Sequence, residues 1–267
     1  MIDREHVKNT FYNYTEKYDS TNGKIKLKIE HTYRVADLCD EIARSIELSE
    51  ADINLAWLIG MLHDIARFEQ IRIYNTFIDK ESINHAYFGA DLLFGKAGTE
   101  QGDKAYEGRL IDDYVCGLSD EDMDIVEKAV RYHSDYRIPG ELSERESMFC
   151  NIIRDADKID ILRANLDFPM EVIYNVTSEE LNTSPVTKEV LKAFFEHGAV
   201  KRELKKTPID NLVGHISLVY ELVYPESYNI VKKQGYLEQM LNYKSENPDT
   251  VADFKLIRDE MHRFLDK

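Results

Sequence analysis

Residues 52–68 (DINLAWLIGMLHDIARF) are the most apolar stretch of the chain, and an aspartate lies inside it. Leucine and isoleucine recur there at intervals of three and four residues, which predicts a helix, and Trp57 and Met61 extend its apolar surface around most of the helix. Such a helix belongs in a protein core. Because a buried carboxylate is costly unless a charge or a metal compensates it, the groups that compensate Asp64 constrain the rest of the fold.

Helical spacing also dominates the remainder of the chain. Only six prolines and twelve glycines interrupt 267 residues, and no alternating strand pattern or internal repeat occurs, which predicts an all-α fold. Residues 69–81 and 95–117 are expected to be irregular, the latter a glycine-containing surface excursion with one short helix. Prolines mark the junctions between the later helices. The predicted helices cover 3–19, 24–48, 52–68, 82–95 from a Ser82 cap, 119 to a stop at Pro139-Gly140, 143 through 160, 170–176, 186–205, 209–223, 226–243 and 248–266.

Composition excludes several classes of protein. The net charge of −16 argues against a nucleic-acid polymer as the main ligand, because phosphate contacts need clustered lysine and arginine. The three cysteines are far apart and predict neither disulfides nor a thiolate zinc site. No apolar run follows the N-terminal charges, and the longest one, 56–62, is too short to cross a membrane. We therefore expect a cytoplasmic protein with no signal peptide and no membrane partner.

Histidines and acidic residues with metal-binding chemistry fall on separate predicted helices. They are His31, His63, Asp64, His85, His133 and an acid within 155–160. In the absence of thiolates, imidazole and carboxylate are ligands for Mn, Fe, Co, Ni or Zn, and ligands tens of residues apart are typical of metal sites in helical bundles. Helical spacing does not choose between Asp155 and Asp157 for the last acid.

The pattern H…HD…H…H…D over residues 28–165, with EHTYRV at 30–35, LHDIAR at 62–67 and DADKID at 155–160, resembles the HD-domain metal-dependent phosphohydrolase superfamily. The additional His85 and His133 resemble its six-ligand, binuclear subset. The resemblance implies an all-α HD-domain helical bundle followed by C-terminal helices. We predict one α-helical domain over 1–267, with a metal-binding core at 24–165 and a C-terminal extension at 170–267.

The resemblance also implies the ligand set. His31, His63, Asp64 and Asp157 are expected to hold a first divalent cation, and the family's Asp-Lys step selects Asp157 over its neighbour. Asp64 is expected to bridge to a second cation, held by His85 and His133. One or two ions of Mn, Fe, Co, Ni, Mg or Zn are the implied cofactors.

The implied activity is hydrolysis of a phosphate ester or anhydride in a small metabolite or nucleotide, by attack of a water that bridges the cations. Asp64 is the central catalytic group, and Lys158, Arg34 and Arg67 are candidates to bind phosphate oxygens. Ala66 stands where many members have glycine. Arg67 stands three residues after Asp64, where some mononuclear nucleotidases have a catalytic acid, which favours the two-metal mechanism.

Two other hypotheses fit the same residues. Some relatives with a similar ligand set bind two irons and activate oxygen, and the ligand types serve both chemistries. A metal-free helical regulatory module is the non-enzymatic alternative, and the complete ligand set argues against it.

Overall fold

The computed structural model describes residues 2–96 and 108–266, and every regular element in these ranges is helical, which confirms the all-α prediction. Short 3₁₀ turns supplement the α-helices at Asp79–Glu81, Arg202–Leu204 and Leu218–Glu221. The α-helices are α1 (Arg4–Thr15), α2 (Gly23–Ser45), α3 (Glu50–Leu62), α4 (Arg67–Tyr74), α5 (His85–Phe94), α6 (Ile111–Tyr114), α7 (Asp120–Tyr132), α8 (Glu144–Asp167), α9 (Met170–Tyr174), α10 (Ser178–Thr183), α11 (Lys188–Phe195), α12 (Pro208–Ser217), α13 (Pro225–Gln234), α14 (Tyr236–Leu241) and α15 (Pro248–Leu265).

The chain forms two compact units, Met1–Ala156 and Asp157–Lys267. Their division falls within α8, before residue 170, where the sequence places the start of the C-terminal extension. In the predicted surface excursion at 95–117, the short helix is α6, and residues 97–107 lie outside the described residues. Across the described ranges, no helix combines the length and apolar character needed to span a membrane.

Helix α3 lies at the centre of the first unit, where it packs against α1, α2 and α7. Every residue from 55 to 66 is buried, as the apolar pattern predicts. Ser49 caps the helix through the amide of Asp52, and the acidic first turn suits the positive end of the helix dipole. Helix α5 packs against α7 in the same unit.

The predicted helix over 52–68 is wrong in one respect, because α3 ends at Leu62 and a turn precedes α4. In that turn, the amide of Ile65 bonds the carbonyl of Leu62 and that of Arg67 bonds the carbonyl of Asp64. The carbonyl of Ile65 accepts instead from the Tyr14 hydroxyl at 3.2 Å. Since the apolar spacing continues through the turn, hydrophobicity alone does not reveal the break.

The prediction that 69–81 is irregular is also wrong in part, because α4 occupies 67–74. Its buried side chains include Glu69 and Gln70, and these polar residues obscured the helical pattern. Tyr18 donates to the Glu69 carboxylate at 2.5 Å, which compensates its burial. Asn84, not Ser82, caps α5.

In the second unit, α12 packs against α10, α11 and α14, and α15 packs against α11 and α14. Proline occupies the first position of α12, α13 and α15, as expected from its fixed φ angle. Two predicted helices are divided. The helix predicted for 186–205 ends at Phe195, and the one predicted for 226–243 is interrupted at Gly235, whose φ of 71° ends α13.

Gly60 sets the closest approach between α2 and α3. A Cβ atom at residue 60 would lie 2.6 Å from the Cα atom and 2.9 Å from the amide nitrogen of Ala36, and neither backbone atom can move alone. Because α2 carries His31 and α3 ends beside His63, this contact also fixes the spacing between the two histidines.

We therefore expect Gly60→Ala to lower the free energy of unfolding by about 1–3 kcal/mol or more, as overpacking does in well-packed cores. Urea denaturation followed by circular dichroism measures the change. Gly140→Ala is the matched control, because Gly140 has open space where a Cβ would lie. Equal stability of the two variants would contradict the proposed role of Gly60.

Candidate metal centre

Two groups of potential metal ligands share Asp64. The first is His31, His63 and Asp64, and the second is Asp64, His85 and His133. All five side chains are at most 3% exposed, although they come from α2, α5 and the residues that follow α3 and α7. The fold of the first unit thus brings together five of the six ligands implied by the sequence.

Each carboxylate oxygen of Asp64 faces a different pair of histidines. Asp64 Oδ2 lies 3.5 Å from both His31 Nε2 and His63 Nε2, and these nitrogens are 3.3 Å apart. Asp64 Oδ1 lies 3.4 Å from His85 Nε2 and 3.7 Å from His133 Nε2, which are 3.1 Å apart. Donors about 2.1 Å from a tetrahedral or octahedral cation are about 3.0–3.4 Å from one another, so both triangles are near the size of a metal site.

Hydrogen bonds at Nδ1 fix the tautomers of three of these histidines. His63 donates to the carbonyl of Gly60 at 2.8 Å, and His133 donates to that of Val130 at 2.7 Å. His85 donates to both carboxylate oxygens of Asp79 at 2.9 Å. In a neutral imidazole, a proton on Nδ1 leaves a lone pair on Nε2, which is the form that binds a metal.

Two features of the site indicate that cations fit it. The Nε2 lone pairs of His85 and His133 face each other at 3.1 Å, an arrangement that is repulsive unless a cation lies between them. Asp64 Oδ1 is buried and makes no hydrogen bond within the described residues. A buried acceptor without a partner is costly, and coordination satisfies it.

Lys28 compensates the negative charge of Asp64 through a contact with Oδ2. Its ammonium donates to Asp64 Oδ2 at 2.6 Å, and its side chain is 12% exposed. Burial by itself would raise the pKa of Asp64, but the charge of Lys28, followed by the interactions with the neighbouring histidines, outweighs burial and holds that pKa well below its ordinary value. Asp64 is therefore ionised, as a metal ligand must be.

Asp79 holds the His85 ring and is itself held by a polar network. It accepts from Arg67 Nη1 at 3.2 Å and from Gln70 Nε2 at 3.0 Å. Burial opposes ionisation of Asp79, yet hydrogen bonding to His85 and the charge of Arg67 hold its pKa well below the ordinary value. Burial, reinforced by the Arg67 charge, lowers the pKa of His85 to about 3, so His85 is neutral at physiological pH.

The remaining predicted residues are in different surroundings. Arg67 lies at the centre, with Nε 3.5 Å from Asp64 Oδ1. Arg34 forms an ion pair with Glu30 at 3.7 Å along α2. Asp157 is half-buried, and Lys158 donates to the carbonyl of Glu221 at 3.1 Å within the second unit. The roles of these four residues in binding metal or phosphate stay predictions.

Sequence reasoning missed Lys28 and Asp79. Lys28 precedes His31 by three residues and therefore shares its helix face, so spacing could have suggested it. Asp79 lies in an irregular segment six residues before His85, and no periodicity connects the two.

Asp79→Asn should weaken metal binding at the His85–His133 group by about 10–100-fold, because the ring loses the carboxylate that orients it and raises its basicity. Calorimetric titration of metal-depleted protein with Mn²⁺ measures this as a change in one of the binding steps. Asp37→Asn, at an exposed position on α2, is the matched control. An unchanged affinity for Mn²⁺ in Asp79→Asn would show that Asp79 does not support metal binding by His85.

Lys28→Met should lower the melting temperature of the metal-depleted protein, because Asp64 loses the cation that compensates its buried charge. The same variant should bind Mn²⁺ about tenfold more tightly or better, because Lys28 no longer repels the incoming cation. Thermal melts with and without Mn²⁺ measure both effects. Lys26→Met is the control, since Lys26 is exposed and pairs only weakly with Glu30 at 3.9 Å. A smaller metal-induced shift in Lys28→Met than in the control would contradict this account.

Comparison with known families gives one match. The family model of the HD domain matches residues 29–162, half of the chain, and this range includes all five converging ligands. No curated protein and no solved structure matched the chain.

Proposed function

This chain belongs to the HD-domain family, and from that membership and the geometry of Asp64 we propose that it is a metal-dependent phosphohydrolase. The proposed reaction is hydrolysis of a phosphate ester or anhydride in a small metabolite or nucleotide. The proposed cofactors are two divalent cations, one at each of the groups that share Asp64.

The observation that carries this proposal is the division of the Asp64 carboxylate between two pairs of histidines. Oδ2 faces His31 and His63, whereas Oδ1 faces His85 and His133. A single structural cation would need only one of these groups. Asp64 would contribute to both groups if a cation were held at each, which supports an active site of the two-metal hydrolase class.

The protein's own contribution is to hold four buried imidazoles around one ionised carboxylate and to exclude water from them. Such cations supply Lewis-acid catalysis and generate a hydrolytic nucleophile from water at neutral pH. Lys28 and Arg67 add positive charge beside Asp64 and are suited to orient phosphoryl oxygens. Phe77 lies against both, with its ring centroid 5.5 Å from Lys28 Nζ and 5.7 Å from Arg67 Cζ.

Other parts of the proposal rest on the resemblance and on composition. Asp157 is proposed as the sixth ligand, with Lys158 and Arg34 as further phosphate-binding residues. The net charge of −16 favours a small substrate over a nucleic-acid polymer. A cytoplasmic location is proposed on the same compositional grounds.

The test is a screen of phosphorylated metabolites and nucleotides with Mn²⁺, Co²⁺, Ni²⁺ and Mg²⁺, in which released phosphate is measured. Asp64→Asn should reduce kcat on the order of 10³-fold, since the central charge of the site is lost. Elemental analysis of the same samples should show that the variant loses bound metal. Asp124→Asn, at an exposed position on α7, should match the wild-type protein.

An anaerobic arm separates hydrolysis from oxygen chemistry. Phosphate release by the Mn²⁺-loaded protein should proceed at the same rate without oxygen. Oxygen uptake by iron-loaded protein together with no phosphate release from any substrate would favour the oxygenase hypothesis. Metal content of zero after loading would favour a regulatory module.

A further inference from the structure

The second unit contains a lysine that lacks an ion pair among the described residues. Lys205 is half-buried between the 3₁₀ turn Arg202–Leu204 and α12, and its ammonium forms neither an ion pair nor a hydrogen bond within the described residues. Burial, together with the neighbouring charge of Arg202, lowers the pKa of Lys205 to about 8, so the group is still mostly cationic at neutral pH.

Asp210 is the acidic residue whose charge acts on Lys205, but its oxygens are committed elsewhere. Oδ1 accepts from the amide of Thr187 at 2.8 Å. Oδ2 accepts from the Thr187 hydroxyl at 2.6 Å and from the amides of Lys206 and Thr207 at 2.8 and 2.9 Å. The Asp210 carboxylate therefore links the start of α12 to Thr187. Within the described ranges, it forms no ion pair with Lys205.

The end of the Lys205 side chain lies over the backbone of Gly214. A Cβ atom at residue 214 would be 2.4 Å from Lys205 Cε and 2.5 Å from its Nζ. Only glycine leaves the ammonium room to lie there. The next residue along α12 is His215, whose pKa is lowered to about 3 by burial and then by the charges of Lys205 and Arg202.

His215 presents a second polar group beside Lys205. Its Nδ1 lies 2.9 Å from Asn165 Nδ2, 3.0 Å from the Tyr174 hydroxyl and 3.2 Å from Asn165 Oδ1, so this nitrogen is already held by protein groups. The other ring nitrogen, Nε2, makes no hydrogen bond among the residues that the structure describes. The carboxylate of Asp157 also acts on His215, in the opposite sense to Lys205.

From these contacts we propose that Lys205 and His215 Nε2, with added charge from Arg202, form a binding site for a phosphate or phosphate-bearing small anion in the second unit. An ammonium without an acceptor, beside the second positive charge of Arg202, is complementary to an anion with several acceptor oxygens, and an imidazole nitrogen can pair with either an oxygen or a hydroxyl of a phosphate. The site lies outside the residues that match the HD domain and shares no residue with the two groups around Asp64.

The test is calorimetric titration of the full chain with inorganic phosphate. Lys205→Met should weaken binding about tenfold or more, the loss expected for a charge-assisted hydrogen bond. Lys206→Met is the matched control, because the adjacent Lys206 is exposed and forms its ion pair with Glu189 at 3.5 Å. Binding should persist in Asp64→Asn, which separates this site from phosphate bound at the metal centre.

Two further measurements keep the result interpretable. Gly214→Ala should weaken phosphate binding as Lys205→Met does, because the new methyl group displaces the flexible end of Lys205 while leaving its charge. Lys205→Met should melt no lower than the wild-type protein in phosphate-free buffer, since it removes an uncompensated charge.

Titration with glycerol 3-phosphate distinguishes the source of the phosphate group. Tighter binding than that of inorganic phosphate assigns an organic phosphate as the ligand, and weaker binding assigns the free anion. Phosphate affinity unchanged by Lys205→Met, or lost in Asp64→Asn, would overturn the proposal.

Discussion

The buried negative charge of Asp64 is the constraint on which the first unit depends. A carboxylate that is 2% exposed must be neutralised, and the fold does so from both sides, with the Lys28 ammonium on Oδ2 and pairs of imidazoles on each oxygen. Three of the histidines carry a hydrogen bond at Nδ1, so their Nε2 lone pairs are available to a cation. The centre is thus a single charge surrounded by donors, which is the arrangement that divalent cations require.

The C-terminal ends of two helices set the tautomers of two of the candidate ligand histidines. His63 and His133 directly follow α3 and α7, and each donates its Nδ1 proton to the carbonyl three residues earlier. The last carbonyls of a helix have no intrahelical partner, so a histidine at this position both caps the helix and has its ring oriented. The negative end of each helix dipole then also points toward the site, where it favours cations. Ending α3 at residue 62 is what makes this possible.

The sequence predicts the helical class, the family and the ligands, because these depend on residue type and on local spacing. It does not predict the turn after α3, because apolar residues continue through it and the decisive contact, Tyr14 with Ile65, comes from a distant helix. Adjacent residues on an uninterrupted helix point about 100° apart, so His63 and Asp64 reach one position through that turn. Asp79 was equally hidden, since a residue in an irregular segment acquires its role only when the chain has folded.

In the part of the chain that the structure describes, two polar groups withdrawn from water lack a hydrogen-bond partner, and both point to a ligand. Asp64 Oδ1 is an acceptor without a donor, and Lys205 is a donor without an acceptor, both within the described residues. Each carries a desolvation cost that folding alone does not repay. The carboxylate whose charge acts on Lys205, that of Asp210, is bonded to the backbone instead. Because a ligand of the opposite charge would offset what remains of each cost, the two positions point to a cation in the first unit and an anion in the second.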